Sequence, residues 1–391
     1  MMYIVRQAEE TLRQLAGEFR AVAIVGPRQS GKTTLAKHVF PDKECISLEA
    51  PDYLEFASRD PRSFLTRIEG GAILDEVQRC PELLSYLQGL LDASPEKGRF
   101  ILTGSHHLGL MEGISQSLAG RVGLITLLPL SLHELTGSTV QPETLDELLL
   151  CGGYPPVHAE RVSHERWYNA YVATYLERDV RQLVSVRDSI VFQRFLRLCA
   201  ASTGQLLNMA RMGADLGIDQ KTVKGWLSIL EVSSIAFRLR PHHESFRKRL
   251  VKTPKLYFND TGLAARLLGI ENPEQLSMHP VRGALFETWV LSELRKSRFN
   301  RAKEDNLFFW RNNTGHEVDI VCDRAGMLLP IEVKSGATIA SDWFEGLERW
   351  QSLAKDRSLR PHLVYGGNDR QTRRAAEVLP WSAIGDIASL T

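Results

Sequence analysis

The chain has 391 residues, 43% hydrophobic and 24% charged, with a formal net charge of +1. That length exceeds one ordinary core and points to two or three domains of roughly 150 residues each, and the near-neutral balance excludes a polyelectrolyte tail, so any affinity for nucleic acid must come from a local basic patch. Five cysteines without CxxC spacing exclude a zinc site of that kind and a disulfide framework, and they suit a reducing cytoplasm.

Residues 1–19 carry an amphipathic, charged helix pattern with no apolar signal core, and no stretch approaches the roughly 20 apolar residues of a membrane span. A buried strand is expected over 21–25 and a helix over 33–40. Between them Gly26, Pro27, Arg28, Gln29, Ser30, Gly31, Lys32 and Thr33 have the GxxxxGKT spacing of a P-loop, with Thr34 following. Backbone N–H groups at such a helix start hold phosphates. Lys32 would reach the outer phosphates of ATP, and the Thr33 hydroxyl would ligate phosphate-bound Mg2+.

A short strand is expected over 45–48, then helix and turn over 51–65. Ala72, Ile73 and Leu74 read as a brief strand ending in Asp75 and Glu76 at the carboxyl edge of a parallel sheet, where ligands of open α/β sheets bind. Asp75 would hold the magnesium through its water shell, and Glu76 would orient and deprotonate the attacking water. The next strand, 99–104, ends beside Thr103 and Ser105, either of which could sense the terminal phosphate; the sequence does not choose between them. Arg121 precedes another apolar strand and reads equally as a surface arginine or as an arginine finger serving its own chain or a neighbouring copy in a homo-oligomer.

The runs GPRQSGKTTL, ILDEVQRCPELL, FILTGS, SLAGRV and LPLSLHEL, in that order, resemble the bacterial and archaeal AAA-type P-loop ATPases that carry a C-terminal domain of the DUF4143 type. The resemblance covers essentially the whole chain. It implies an α/β, RecA/AAA-like core with a parallel sheet, and it names no substrate.

Gly152, Gly153, Pro155 and Pro156 interrupt regular structure near the end of that core. A helix over 167–183 would place Tyr168, Tyr171, Val172, Tyr175 and Leu176 on one face, as core. From Leu206 two helices are expected around a turn at 217–219, with Asp219 as N-cap; Val223, Trp226, Leu227 and Leu230 would be buried, leaving Lys221, Thr222 and Lys224 outside. Two strands follow, at 235–239 and 256–258, so a winged helix is expected, with outward side chains suited to a DNA groove. The segment between the strands concentrates Arg238, Arg240, Arg247, Lys248, Arg249, Lys252 and Lys255, a basic wing for a phosphate backbone or else a solvated loop.

Farther on, a helix is expected over 283–299 with Glu287 beside its apolar face, then a strand over 307–311. In 317–322, Val318 and Ile320 should point one way and Glu317 and Asp319 the other; in the next strand Glu332 and Lys334 should share a face opposite Ile331 and Val333. The order resembles the PD-(D/E)XK nuclease superfamily. That likeness implies Asp319 and Glu332 as ligands of a second Mg2+ or Mn2+ together with the Val333 carbonyl, Glu287 in the outer shell, and Lys334 positioning water or stabilising phosphate charge. Such a domain can also bind without cutting.

The expected organisation is an ATPase domain over 1–150, a helical connector over 151–203, a winged helix over 204–280 and a nuclease-like α/β domain over 281–391. The expected function is a cytoplasmic ATPase acting on DNA or RNA, with metal-dependent cleavage open. The alternative is a nucleotide-controlled switch that binds a protein partner through an inactive nuclease-like domain.

Overall fold

Six buried residues in succession, Ala21–Gly26, form β1, and a strand apolar on both faces belongs inside a parallel sheet. The computed structural model describes residues 3–105, 117–136, 142–180, 189–242, 252–312 and 315–391, with the side chains of 177–180 left aside. In it β1 joins β2 (Cys45–Ser47), β3 (Ala72–Asp75), β4 (Phe100–Ser105) and β5 (Val122–Thr126) in an all-parallel sheet of order β2-β3-β4-β1-β5. The helices Ala8–Glu18 and Lys32–Val39 cover one face through Leu12, Leu35 and Ala36. Leu83–Ala93 covers the other through Leu84, Leu87 and Leu91. The carboxyl ends of β1, β3 and β4 therefore open side by side at one edge.

The tyrosine stripe is core. Tyr168, Tyr171 and Tyr175 are buried, and Tyr171 stacks on Trp167 with ring centroids 4.9 Å apart. The α-helix His164–Tyr171 runs on as a π-helix, Val172–Val180.

Helices Met209–Leu216 and Gln220–Val232 meet at Gly217, whose φ of 70° suits a residue without Cβ. Asp219 caps the second helix by accepting from the Thr222 backbone N–H at 2.9 Å, and Val223, Trp226, Leu227 and Leu230 are buried as expected. Next come β6 (Ala236–Pro241) and β7 (Lys255–Phe258), an antiparallel pair.

These two strands are not confined to the helix pair. β6 also pairs in parallel with β8 (Leu307–Arg311), matching Arg240 to Phe308 and Pro241 to Phe309. Together with β9 (Glu317–Arg324), β10 (Met327–Lys334), β11 (His362–Tyr365), β12 (Gln371–Thr372) and β13 (Glu377–Pro380) they form one eight-stranded mixed sheet, β12-β13-β11-β10-β9-β8-β6-β7. The long helix Arg282–Phe299 packs on one face, and Glu345–Ala354 packs on the other through Leu347 and Trp350.

The alternation expected along 317–322 breaks. Phe308 pairs with Val321 but Trp310 pairs with Val318, so a two-residue step in β8 faces a three-residue step in β9. Val318 consequently packs with Trp350, whereas Ile320 packs with the side that bears the long helix. A β-bulge of this kind re-aims the side chain beside it, here Asp319. Among the described residues no helix is long and apolar enough to cross a membrane.

Candidate active site

The phosphate cradle begins where β1 ends. A Cβ on Gly26 would lie 2.2 Å from the Leu127 carbonyl oxygen, so the chain turns there only as glycine, and Gly31, at a φ of 92°, delivers it into the helix Lys32–Val39. The first N–H groups of that helix have no helical acceptor and face the cradle. Lys32 is buried, and its Nζ donates to the carbonyls of Gly26 at 3.3 Å and Pro27 at 2.8 Å. Burial lowers its pKa to about 8, although Glu76 and Asp75 pull the other way.

Asp75, the last residue of β3, gathers three hydroxyls. Thr33 and Thr103 each donate to its Oδ1 at 2.5 Å, and Ser47 donates to Oδ2 at 3.2 Å. Glu76 follows in the left-handed region at a φ of 56°, and burial raises its pKa. Its carboxylate accepts from Gln78 Nε2, which also donates to Ser105 Oγ at 3.0 Å. Thr103 thus holds Asp75, and Ser105 stands on the Glu76 side. The cleft, of about 420 Å3, is completed from outside the sheet by Tyr3, Ile4, Pro155 and Pro156. Arg28 lies over the Tyr175 ring at 5.4 Å and pairs with Glu49 at 3.4 Å.

A second polar centre lies at the eight-stranded sheet. Glu287, Asp319, Glu332 and Lys334 share one electrostatic neighbourhood, as expected, but not as a metal cage. Lys255, from β7, occupies it: its Nζ lies 3.1 Å from Glu287 and also pairs with Glu317. Tyr257 donates a further hydrogen bond to Glu287. Asp319 spends Oδ2 on the Val333 backbone N–H at 2.8 Å, and Lys334 Nζ lies 2.5 Å from Glu332 Oε1. Among the described residues no three His, Cys, Asp or Glu side chains are spaced to hold a metal ion. The acids expected to hold a second Mg2+ or Mn2+, Asp319 and Glu332 with Glu287 in the outer shell, have protein partners in this structure: Glu287 pairs with Lys255, Glu332 with Lys334, and Asp319 accepts from the Val333 N–H. Burial and Asp319 push the Glu332 carboxyl above its usual range, and its Oε2 is buried without a partner. Burial alone would lower Lys255, yet Glu287, Asp319 and Glu317 outweigh it and hold the ammonium charged.

A family model described as an AAA domain matches residues 18–136, and two described as domains of unknown function, DUF8612 and DUF4143, match 142–274 and 282–384. Two mycobacterial proteins, uncharacterized protein Rv2008c of Mycobacterium tuberculosis and Mb2031c of Mycobacterium bovis, are each 32% identical over 337 residues, spanning 85% of this chain and 74% of theirs. The chain belongs to the AAA-type ATPases with a C-terminal DUF4143 domain. It is a P-loop enzyme that binds and hydrolyses ATP. Among solved structures it is also similar to the Walker-type ATPase paby2304 of Pyrococcus abyssi, at 16% identity and a TM-score of 0.44 over 68% of this chain and 96% of that one.

In this ATPase Arg121 stands at the wrong edge for its own nucleotide. Its carbonyl accepts from the Ala21 N–H, at the start of β1, whereas the P-loop leaves the far end, about 16 Å away at roughly 3.3 Å per residue. Its guanidinium forks onto Asp92, with Nε–Oδ1 at 2.6 Å and Nη2–Oδ2 at 2.9 Å. The own-chain finger is corrected on this ground. In the basic segment, Arg238 pairs with Glu231 and Lys255 is buried, so neither is a wing contact; Arg247, Lys248 and Arg249 lie outside the described residues. Arg240, Lys252, Lys221 and Lys224 are exposed, and Thr222 is half-buried against its cap.

Sequence reasoning missed Ser47, Gln78 and the role of Lys255, which it read as wing, together with Arg6, whose guanidinium donates to the Ser30 carbonyl and to Glu134. Only Gln78 carried a local signal, two residues beyond the Asp-Glu pair; the others act on partners distant in the chain.

Proposed function

We propose that the chain is a magnesium-dependent ATPase whose turnover acts on DNA, held by the helix pair and its two strands used as a winged helix. The donor set at the ATP site suits magnesium, because Thr33, Asp75 and Ser47 offer only hard oxygens within one hydrogen-bonded group. When bound, the ion would supply positive charge that offsets the charge of the phosphates. The chain's own residues do the rest. Backbone N–H groups between Gly26 and Thr34, Pro27 having none, cradle the phosphates, and Lys32 turns from the Gly26 and Pro27 carbonyls to the outer phosphate. Glu76, whose buried carboxyl has a raised pKa, orients the attacking water and takes its proton. Gln78 and Ser105 hold Glu76 in place, while Thr103 holds Asp75.

One observation carries the DNA reading: Lys221 and Lys224 are exposed on a helix whose opposite face, Val223, Trp226 and Leu227, is locked in the core. Arg240 and Lys252 extend the exposed basic set. The test is a salt titration of duplex DNA binding by the full chain and by Lys221→Glu/Lys224→Glu. The variant should bind at least tenfold more weakly, with the log-log salt slope reduced by about 0.9 for each phosphate no longer neutralised. Absence of binding by the wild type at low salt sinks the reading, and equal competition by RNA moves the substrate to RNA.

Lys255 favours a second reading. With an internal cation among its acids, the DUF4143 domain serves as an inactive nuclease-like surface, and ATP controls a protein interaction through it. Glu332 and Lys334 then form a structural ion pair and hydrolyse nothing.

A further inference from the structure

A buried polar chain links the P-loop to the DUF4143 domain. Arg6, only 4% exposed, donates through Nη1 to the Ser30 carbonyl at 2.8 Å, through Nη2 to the Leu128 carbonyl at 2.8 Å, and through Nε to Glu134 at 3.0 Å. Ser30 belongs to the phosphate cradle, and Arg6 Nη1 lies 3.5 Å from where a Cβ of Gly31 would stand. Glu134 spends its other oxygen on the Ser131 backbone N–H at 2.8 Å. The adjoining residues are held from the opposite side. Leu132 N–H donates to Glu293 Oε2 at 2.8 Å, and Lys296 Nζ donates to the Leu130 carbonyl at 2.8 Å while pairing with Glu293 at 2.8 Å. Glu293 and Lys296 lie on the long helix Arg282–Phe299 of the DUF4143 domain, each with a side chain 5% exposed.

Buried ion pairs are costly to desolvate and contribute little net stability, so their value here lies in geometry. Residues 128–134 form a strap after β5: Arg6 grips both ends, at the Leu128 carbonyl and at Glu134, and Lys296 and Glu293 of the long helix grip the middle, at Leu130 and Leu132. Leu127, the residue that leads into the strap, places its carbonyl against Gly26. We propose that the Glu293–Lys296 pair is a positioning element for the ATP site: it fixes the strap, and the strap, through Glu134 and Arg6, fixes the Ser30 carbonyl and the shape of the P-loop. Nucleotide affinity then depends on the seating of the DUF4143 helix, and by reciprocity bound nucleotide tightens that seating. The inference rests on ATP binding alone and stands whether the substrate is DNA or a protein.

The experiment compares the full-length wild type, Glu293→Gln/Lys296→Met, and Arg298→Ala as a control on the same helix, whose guanidinium bonds the Thr391 carbonyl, away from the strap. Measured are the dissociation constant of a fluorescent ATP analogue, KM and kcat for ATP, and the melting temperature. The double variant should weaken nucleotide binding at least tenfold and raise KM with little change in kcat, while the control stays near wild type. Unchanged affinity in a folded double variant overturns the proposal, and so does an equal loss in the control. Should the double variant fail to fold, hydrogen exchange on the wild type decides. A non-hydrolysed ATP analogue should slow exchange at the Leu130 and Leu132 amides as well as in the P-loop, and protection confined to the P-loop overturns the idea.

Discussion

Gln78 shows how much of an ATP site can rest on one uncharged side chain. Glu76 leaves β3 in a left-handed conformation and lines the nucleotide cleft, where a side chain with three rotatable bonds needs an anchor to act as a base. Gln78 supplies the missing constraint by bonding Glu76 and Ser105 at once. Gln78→Ala should therefore lower kcat by about 10- to 100-fold with KM for ATP nearly unchanged, because a base displaced by an ångström loses about that much; steady-state ATPase assays check it. Its amide oxygen is buried without a partner, so the substitution should leave the melting temperature within about 1 °C of wild type, roughly the shift that 1 kcal/mol brings in a chain of this length. At this scale the GKT and Asp-Glu motifs announce themselves because their spacing is dictated by phosphate and metal geometry. Ser47 does not, because a hydroxyl that serves Asp75 looks in sequence like any strand-end serine, and Thr103 stood out only as one of two strand-end hydroxyls, without its bond to Asp75.

Among the elements, β7 has two allegiances. Phe258 and Tyr257 pair back to β6, while Lys255, the first residue of the strand, points its ammonium into the acids of the neighbouring domain. Lys255→Met should destabilise the protein by about 3–5 kcal/mol, the usual result of stranding buried charges, as read by chemical denaturation. Mn2+ added without nucleotide should recover part of that loss in the variant and do less for the wild type; equal recovery would mean that Lys255 does not stand where a cation belongs. The strands themselves were legible, since their apolar runs are short, rich in β-formers and bounded by turn signals. The bulge in β9 was not, because the register with β8 imposes it: Trp310 meets Val318 where strict alternation would shift the match by one. The role of Lys255 was hidden for a similar reason. In a run of arginines and lysines it reads as wing, and only the pairing of β6 with β8 brings β7 to the acidic centre.

Across the whole molecule, one apolar cluster extends from Ile4 through the connector, the helix pair and both strands of the β6–β7 hairpin to Ala388. The boundaries that sequence suggests near residue 280 fall within this shared core and across the β6–β8 pairing. A fragment ending at residue 280 should consequently fail to unfold cooperatively and should aggregate, since it exposes the β6 edge and the apolar surface that Leu285, Phe286 and Trp289 cover; calorimetry and sedimentation of the fragment against the full chain test this. The position of Arg121 has a wider implication for architecture. Its fork with Asp92 lies at the amino end of the parallel sheet, and the nucleotide cleft lies at the carboxyl end. Any contact that brought this arginine to a nucleotide would join unlike faces of two copies. A head-to-tail contact of that kind cannot be satisfied by a two-fold pair; it must close as a ring of several subunits or continue as a helical filament, and in either form each boundary between subunits would be a place where ATP is turned over.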